Sequence, residues 1–187
     1  MSGTILPFNG IWPKIADDAF IAETAVVIGD VEIGPESSIW YGCVVRGDVN
    51  PIRIGARTNI QDGTIIHVNH DPAGDYRETG GGMPTHIGDD ITVGHMALLH
   101  ACTVESGGFI GMRSVVMDGA VVEGNAMVAA GALVTPGKRV RSGELWGGSP
   151  ARRMRELTSS EIEYIPYSAR NYAKLGAAHR TGTKAGA

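Results

Sequence analysis

Cysteines, aromatic rings, long apolar runs and surplus positive charge are all scarce in this sequence, and each shortage closes off a class of protein. Only two cysteines occur in 187 residues. Both Cys43 and Cys102 lie in apolar runs, which excludes a disulfide-stapled scaffold and suits a reducing compartment. Lysine and arginine number 16 against 20 acidic residues, for a net charge of −4. That balance argues against nucleic acid or an anionic membrane surface as partners. No stretch approaches the roughly 18 uninterrupted apolar residues of a membrane span. The opening MSGTILPFNGIWPK lacks the basic head and apolar block of a secretory signal. The expectation is a cytoplasmic protein with one sizeable core.

Glycine is plentiful instead, with 27 residues spread along the chain. Aliphatic residues recur at every sixth position: Ile21, Val27, Ile33, Ile39 and Val45, then Ile54, Ile60 and Ile66, then Ile87, Val93 and Leu99. A last run passes through Ile110, Val116, Val122, Val128, Val134 and Val140 to Trp146. Four positions after many of these sits a small or β-branched residue, among them Ala25, Ser37, Cys43, Thr64 and Thr103. Glycine often follows directly, as at Gly34, Gly55, Gly88, Gly94 and Gly111, where it is expected to relax the backbone. A period of six is neither 3.6 nor 2, so one helix or one strand cannot produce it. It predicts an all-β solenoid of hexapeptide repeats, short strands forming the faces of a prism.

The phase breaks three times: Val45 to Ile54, Leu99 to Ile110, and Ile66 to Ile87. The last break holds HDPAGDYRETGGGMP, an expected exposed loop over 70–84 and the expected mobile gate. The organisation read from the chain is an extended segment at 1–14, a prism at 15–152, a helical segment at 153–180 and a disordered end at 181–187. The box TSSE at Thr158–Glu161 starts the helix, and Pro166 is expected to break or restart it.

With three hexads per coil, Ile39, Ile60 and Val93 share one face, and Val45, Ile66 and Leu99 the next. Arg46, His67 and His100 each follow an inward aliphatic residue, so they stack in one outward column. His95 falls on the other face, above Asp62. A prism edge separates it from the other two histidines within one chain. Three prisms side by side would bring one subunit's His67 and His100 to the next subunit's His95. Three imidazoles plus an open position make a catalytic zinc site, where bound water ionises near neutral pH.

The stretches GDVEIGPESSIWYGCVVRGDV, IRIGARTNIQDGTIIHV, IGDDITVGHMALLHACTV and GGSPARRMRELT resemble the γ-class carbonic anhydrases. The resemblance implies a left-handed coil, a homotrimer, and zinc (or iron or cobalt) at the subunit interfaces. It implies reversible hydration of carbon dioxide to bicarbonate by a metal-bound hydroxide. The metal ligands it implies are His67, His95 and His100. Gln61 matches the residue that orients the metal-bound water, and Arg46, Asp48 and Asp62 match a charged network across the interface. Asn171 and Tyr172 match a helix segment that reaches the site. Val49 stands where one branch of the family has a glutamate. The loop is shorter than in that branch, leaving Asp71, Asp75, Glu78, His70 and His86 as candidates for carrying protons. Two other readings remain open for a hexapeptide-repeat chain. One is an acyltransferase or thioesterase acting on a coenzyme A thioester; the other is a non-catalytic metal-binding trimeric scaffold.

Overall fold

The computed structural model describes residues 3–182. The period of six becomes a three-faced parallel β-solenoid with a C-terminal helix. One face stacks strands of two residues, among them Phe20–Ile21, Asn59–Ile60, Thr92–Val93 and Met127–Val128, in parallel register. Two residues per strand leave room for one inward aliphatic side chain before the chain turns. Ile39, Ile60, Val93, Leu99, Ile110 and Val128 are completely buried, and each such burial stabilises the fold by about 1.5–3 kcal/mol. The small positions beside the corners, such as Ala25, Thr58, Thr64 and Ala126, are also fully buried.

The glycines that follow the aliphatic residues serve close approach, which corrects the expectation that they relax the backbone. Gly34, Gly55 and Gly88 all have negative φ. A Cβ on Gly34 would stand 2.6 Å from the backbone of Gly55 in the next coil, and one on Gly55 2.7 Å from Gly88. The left-handed corner positions belong to other residues, to glycines such as Gly42, Gly63 and Gly119 and also to Glu36, Arg57, Asp90, Arg113 and Asn125, with φ between 51° and 57° in these last five.

Each phase break has a definite form. Val44–Ile54 is one strand that runs across two faces, and its partner Val26–Ile33 does the same. Their register jumps from Gly29 opposite Gly47 to Val31 opposite Ile52, so Asp48–Pro51 bulges out. The second break is a shortened corner. Leu99 pairs with Val116 and Val104 with Val122, so one coil spans this corner in five residues and the next in six. The shortening puts Cys102 in the buried small position and leaves Thr103 half-buried. The third break is closed at its base by a bridge between Asn69 and Met83 and contains a short helix, α1 (Tyr76–Thr79). The Tyr76 hydroxyl donates to Asp30 at 2.6 Å. The expected mobile gate is thus tethered at its base and at α1.

Both ends of the solenoid differ in detail from the expected boundaries. Thr4–Leu6 and Lys14–Ile15 pair with Val26–Ile33 and so belong to a sheet. Ala151–Glu156 is an antiparallel strand against Glu144–Gly148, with helix α2 (Ser159–Thr181) following it. Trp146 is half-buried, capping the last coil.

Thr158 and Glu161 form the capping box of α2. Pro166 neither breaks nor restarts this helix, which is continuous to Thr181. The carbonyl that loses its amide partner to the proline ring belongs to exposed Ile162, where water can replace the bond. Helix α2 lies on the Asn59–Thr92 face, burying Ile165, Ser168, Ala169 and Gly176. Of the expected disordered end, Thr181 and Gly182 finish the helix, and 183–187 fall outside the described residues. Among the described residues no helix is long and apolar enough to cross a membrane.

Candidate metal centre

Residues that directly follow an inward aliphatic one point outward, since strand side chains alternate. Strands Ile65–His67 and Leu98–His100 pair with His67 opposite His100. Val45 lies opposite Ile66, so Arg46 continues the same column. The two imidazoles meet with His67 Nδ1 3.2 Å from His100 Nε2. His95 stands on the neighbouring face with Asp62, as the phase of the repeat predicted. Among the described residues, no three His, Cys, Asp or Glu side chains of this one chain converge as a metal-binding group.

A carboxylate holds the far nitrogen of each ring. His67 Nε2 lies 2.9 Å from Asp48 Oδ1, His95 Nδ1 2.9 Å from Asp62 Oδ2, and His100 Nδ1 2.6 Å from Asp118 Oδ1. An ionised carboxylate only accepts, so in the neutral rings those nitrogens carry the proton. The lone pairs then reside on His67 Nδ1, His95 Nε2 and His100 Nε2. Two of these lone pairs face each other across 3.2 Å, a repulsion that a proton or a metal ion shared by the two nitrogens relieves. Nitrogens bound to a tetrahedral zinc at about 2.0–2.1 Å stand roughly 3.3 Å apart. Carboxylates are also habitual outer partners of metal-ligating histidines, accepting from the ring nitrogen that faces away from the metal. The residues fit a divalent metal.

Electrostatics favour the same protonation states at His67 and Asp48. Burial lowers the His67 pKa, and the nearby Arg46 charge works in the same sense against the opposing bond from Asp48. The ring is therefore neutral near pH 7. Burial acts to raise the Asp48 pKa, but the bonds from His67 and Arg46 outweigh it and hold the carboxyl below its usual range. The two thiols are pushed up by burial, Cys43 to about 11 and Cys102 to about 12, so they are inert at neutral pH.

Gln61 is buried, and its Nε2 donates to Asn59 Oδ1 at 3.0 Å. Asn59 in turn donates to the Ile91 carbonyl and Thr92 Oγ1, and Thr92 meets Ser168 of helix α2 at 2.9 Å. Gln61, His95 and Tyr172 line one cavity of about 320 Å³ with Phe109, Met112 and Tyr164. Tyr172 is fixed there by an edge-on contact with Trp40. Asn171 is exposed and outside this cavity, so within one chain the structure does not bring it to the site.

A second cavity, of about 360 Å³, joins Asp48 and Val49 to His70, Asp71, Asp75 and Tyr76 of the loop. Asp71 accepts from the Ala73 amide, and Asp75 is committed to Arg77. Glu78 is exposed on α1. His86 stands on the third face, opposite Arg53 and Thr103, in a groove with Glu32 and Glu105.

Sequence reasoning missed Asp118, although a signal was available. Asp118 follows inward Val116 by two positions, as Asp62 follows Ile60. It also missed Asn59, whose role depends on a neighbouring coil.

The model for the bacterial transferase hexapeptide (six repeats) matches residues 13–47. The mitochondrial γ carbonic anhydrase 2 of Arabidopsis thaliana is 54% identical over 167 residues, 89% of this chain and 58% of the relative. The chain thus spans less than two thirds of that plant protein. A carbonic anhydrase of Geobacillus kaustophilus is 40% identical over 172 residues, covering 92% of this chain and 88% of the relative. Among solved structures, a hexapeptide transferase family protein from Anaplasma phagocytophilum superposes with a TM-score of 0.84 at 47% identity, over 92% of this chain and 96% of that one.

Proposed function

Because this chain belongs to the γ-class carbonic anhydrase family of hexapeptide-repeat proteins, we propose that it catalyses the reversible hydration of carbon dioxide to bicarbonate. A divalent metal, zinc or else iron or cobalt, would be held between protomers of a homotrimer. His67 and His100 of one protomer and His95 of its neighbour would hold the ion. The observation that carries this reading is the pair of ring nitrogens facing each other at 3.2 Å, each ring clamped from behind by a carboxylate. A single chain supplies two facing ligands on one face and a third on another, which is what an intersubunit site requires.

When bound, the metal supplies the Lewis acidity that makes water a competent nucleophile near neutral pH. The chain's own residues orient and relay. Asp48, Asp62 and Asp118 fix the three ring orientations. Asn59 holds the amide of Gln61, whose Oε1 has no partner among the described residues and would accept a hydrogen bond from a water beside His95. Arg46 holds Asp48 through its guanidinium and adds positive charge where bicarbonate forms. Tyr172, Phe109 and Met112 supply the apolar wall that suits an uncharged, linear substrate. His70 lies on the wall of the cavity shared with Asp48 and passes the released proton towards solvent.

The test is stopped-flow hydration by metal-loaded protein with its oligomeric state determined, before and after chelation. Hydration that disappears on chelation and returns with metal supports the proposal. A metal-loaded trimer no faster than buffer favours the scaffold reading. The transferase description of the matching family model favours a further reading, acyl transfer or hydrolysis of a thioester. Release of free thiol from acetyl-coenzyme A, by metal-loaded protein for hydrolysis or by chelated protein supplied with an amine or alcohol acceptor for transfer, would support it.

A further inference from the structure

At the base of the 70–82 loop, two asparagines link the loop to the metal half-site. The Asn69 backbone pairs with Met83 in both directions, at 3.0 and 3.1 Å, and closes the loop. Asn50 is buried, only 3% exposed. Its amide donates to the carbonyls of Asn69 and Gly81, at 3.2 and 3.0 Å. A Cβ on Gly82 would lie 2.4 Å from that amide and 2.7 Å from the Asn69 carbonyl, so the strands of the loop base are in close contact. The Asn69 side chain then turns the other way, donating through Nδ2 to Asp118 Oδ2 at 2.8 Å. The second oxygen of Asp118 takes the bond from His100 Nδ1 at 2.6 Å.

Asp118 can reach His100 because the two coils differ in length at this corner. The coil of His100 goes from Leu99 to Val104 in five residues, whereas that of Asp118 goes from Val116 to Val122 in six. The additional residue lets the longer coil overhang the shorter one.

We infer that Asp118 is a positioning residue for His100, held in place by Asn69, and that seating of the 70–82 loop thereby sets the metal affinity of the site. With both oxygens engaged, Asp118 fixes the imidazole rotation and keeps the proton on Nδ1, leaving the Nε2 lone pair facing His67 Nδ1. Without Asp118 the ring can rotate, and its proton can move to Nε2, where it blocks ligation. The inference rests on the metal site proposed above and concerns residues that never touch the reacting atoms.

The test uses the full chain with Asp118→Ala, Asp118→Asn and Asn69→Ala, each first shown by circular dichroism and sedimentation to keep the wild-type fold and assembly. Zinc affinity is read by competition with a chromogenic chelator, and the His100 tautomer by ¹⁵N NMR of metal-free, histidine-labelled protein. Asp118→Ala is expected to weaken zinc binding by about 10–100-fold and to shift His100 from a protonated Nδ1 to a mixture. Asp118→Asn retains an acceptor and should restore the tautomer and part of the affinity. Asn69→Ala should move both readouts in the same direction, by less than about tenfold. Wild-type affinity and tautomer in Asp118→Ala would overturn the inference, as would a response to Asp118→Ala that Asn69→Ala fails to share. Should Asp118→Ala fail to fold, the Asn and Asn69 variants decide it on the same readouts. The tautomer is measured without metal, so failure of the wild type to bind zinc would sink the metal site itself and be recognised as that separate failure.

Discussion

The coils before Ile110 and those after it obey the same six-residue rule with very different discipline. From Ile110 to Val140 every inward residue is isoleucine or valine, fully buried, and no step departs from six. Before Ile110 the rule is broken three times, and each break serves the candidate centre. The bulge at Asp48–Pro51 presents Asp48 to His67 and Asn50 to the loop base. The insertion after Val68 forms the loop and, through Asn69, holds Asp118. The five-residue corner after Leu99 lets Asp118 overhang His100. Regularity supplies a rigid lattice of strands, and departures from it set functional groups where a uniform prism has none.

Replacing a proposed ligand in the irregular half should give the largest effect. His100→Ala is expected to lower hydration by more than about a hundredfold, a loss beyond that of an outer partner, with little change in far-ultraviolet circular dichroism. Stopped-flow rates at matched protein concentration check it. In the regular half the effects should be exchanged. Ile110→Ala removes a fully buried side chain and should cost about 2–5 kcal/mol in urea unfolding, while the turnover of the folded protein stays at the wild-type value. A stable but slow Ile110→Ala would break the contrast.

Glycines sharpen it further. Gly55→Ala places a methyl 2.2 Å from the Asp89 carboxylate and 2.7 Å from the Gly88 backbone, an overpacking cost of about 1–3 kcal/mol. Gly137→Ala has open space and only a left-handed φ of 68° to contend with, costing about 1 kcal/mol. Thermal melts of the two variants should rank them in that order.

The smallest effect is expected at the capping box of α2, outside both sets of coils. The Arg155 guanidinium and the Thr158 backbone hold the Glu161 pKa down to about 2. A depressed carboxyl stabilises the fold above its unfolded value near 4.3 and loses that contribution as pH falls through the folded value. Acidification from pH 5 to pH 2.5 should therefore destabilise wild-type helix α2 slightly more than that of Glu161→Gln, as read by circular dichroism.

Much of this was legible in the sequence, because a solenoid repeats one local rule. The inward Ile and Val positions, the Arg46–His67–His100 column and the pairing of His95 with Asp62 follow from counting in sixes. The capping box at Thr158 was equally local. What escaped counting depends on neighbouring coils. Gly34 and Gly55 look like flexible joints until the backbone of the next coil is seen 2.6 and 2.7 Å from the missing methyls. Pro166 looks like a helix break until tertiary contacts around Ile165 and Ala169 hold the turns on both sides. The placement of the missing residue between Leu99 and Ile110 could not be counted, and Asp118 was overlooked with it.

The claim on which everything turns is that one protomer's His67 and His100 share an ion with the next protomer's His95. It is tested most directly by mixing two inactive chains. His95→Ala and His100→Ala each lack a ligand at every interface of their own trimers. Co-refolded in equal amounts, they should regain full sites at roughly a quarter of the interfaces, recovering zinc and hydration in that proportion. Mixed trimers, verified by mass, that stay as empty and as slow as either parent would contradict the shared site.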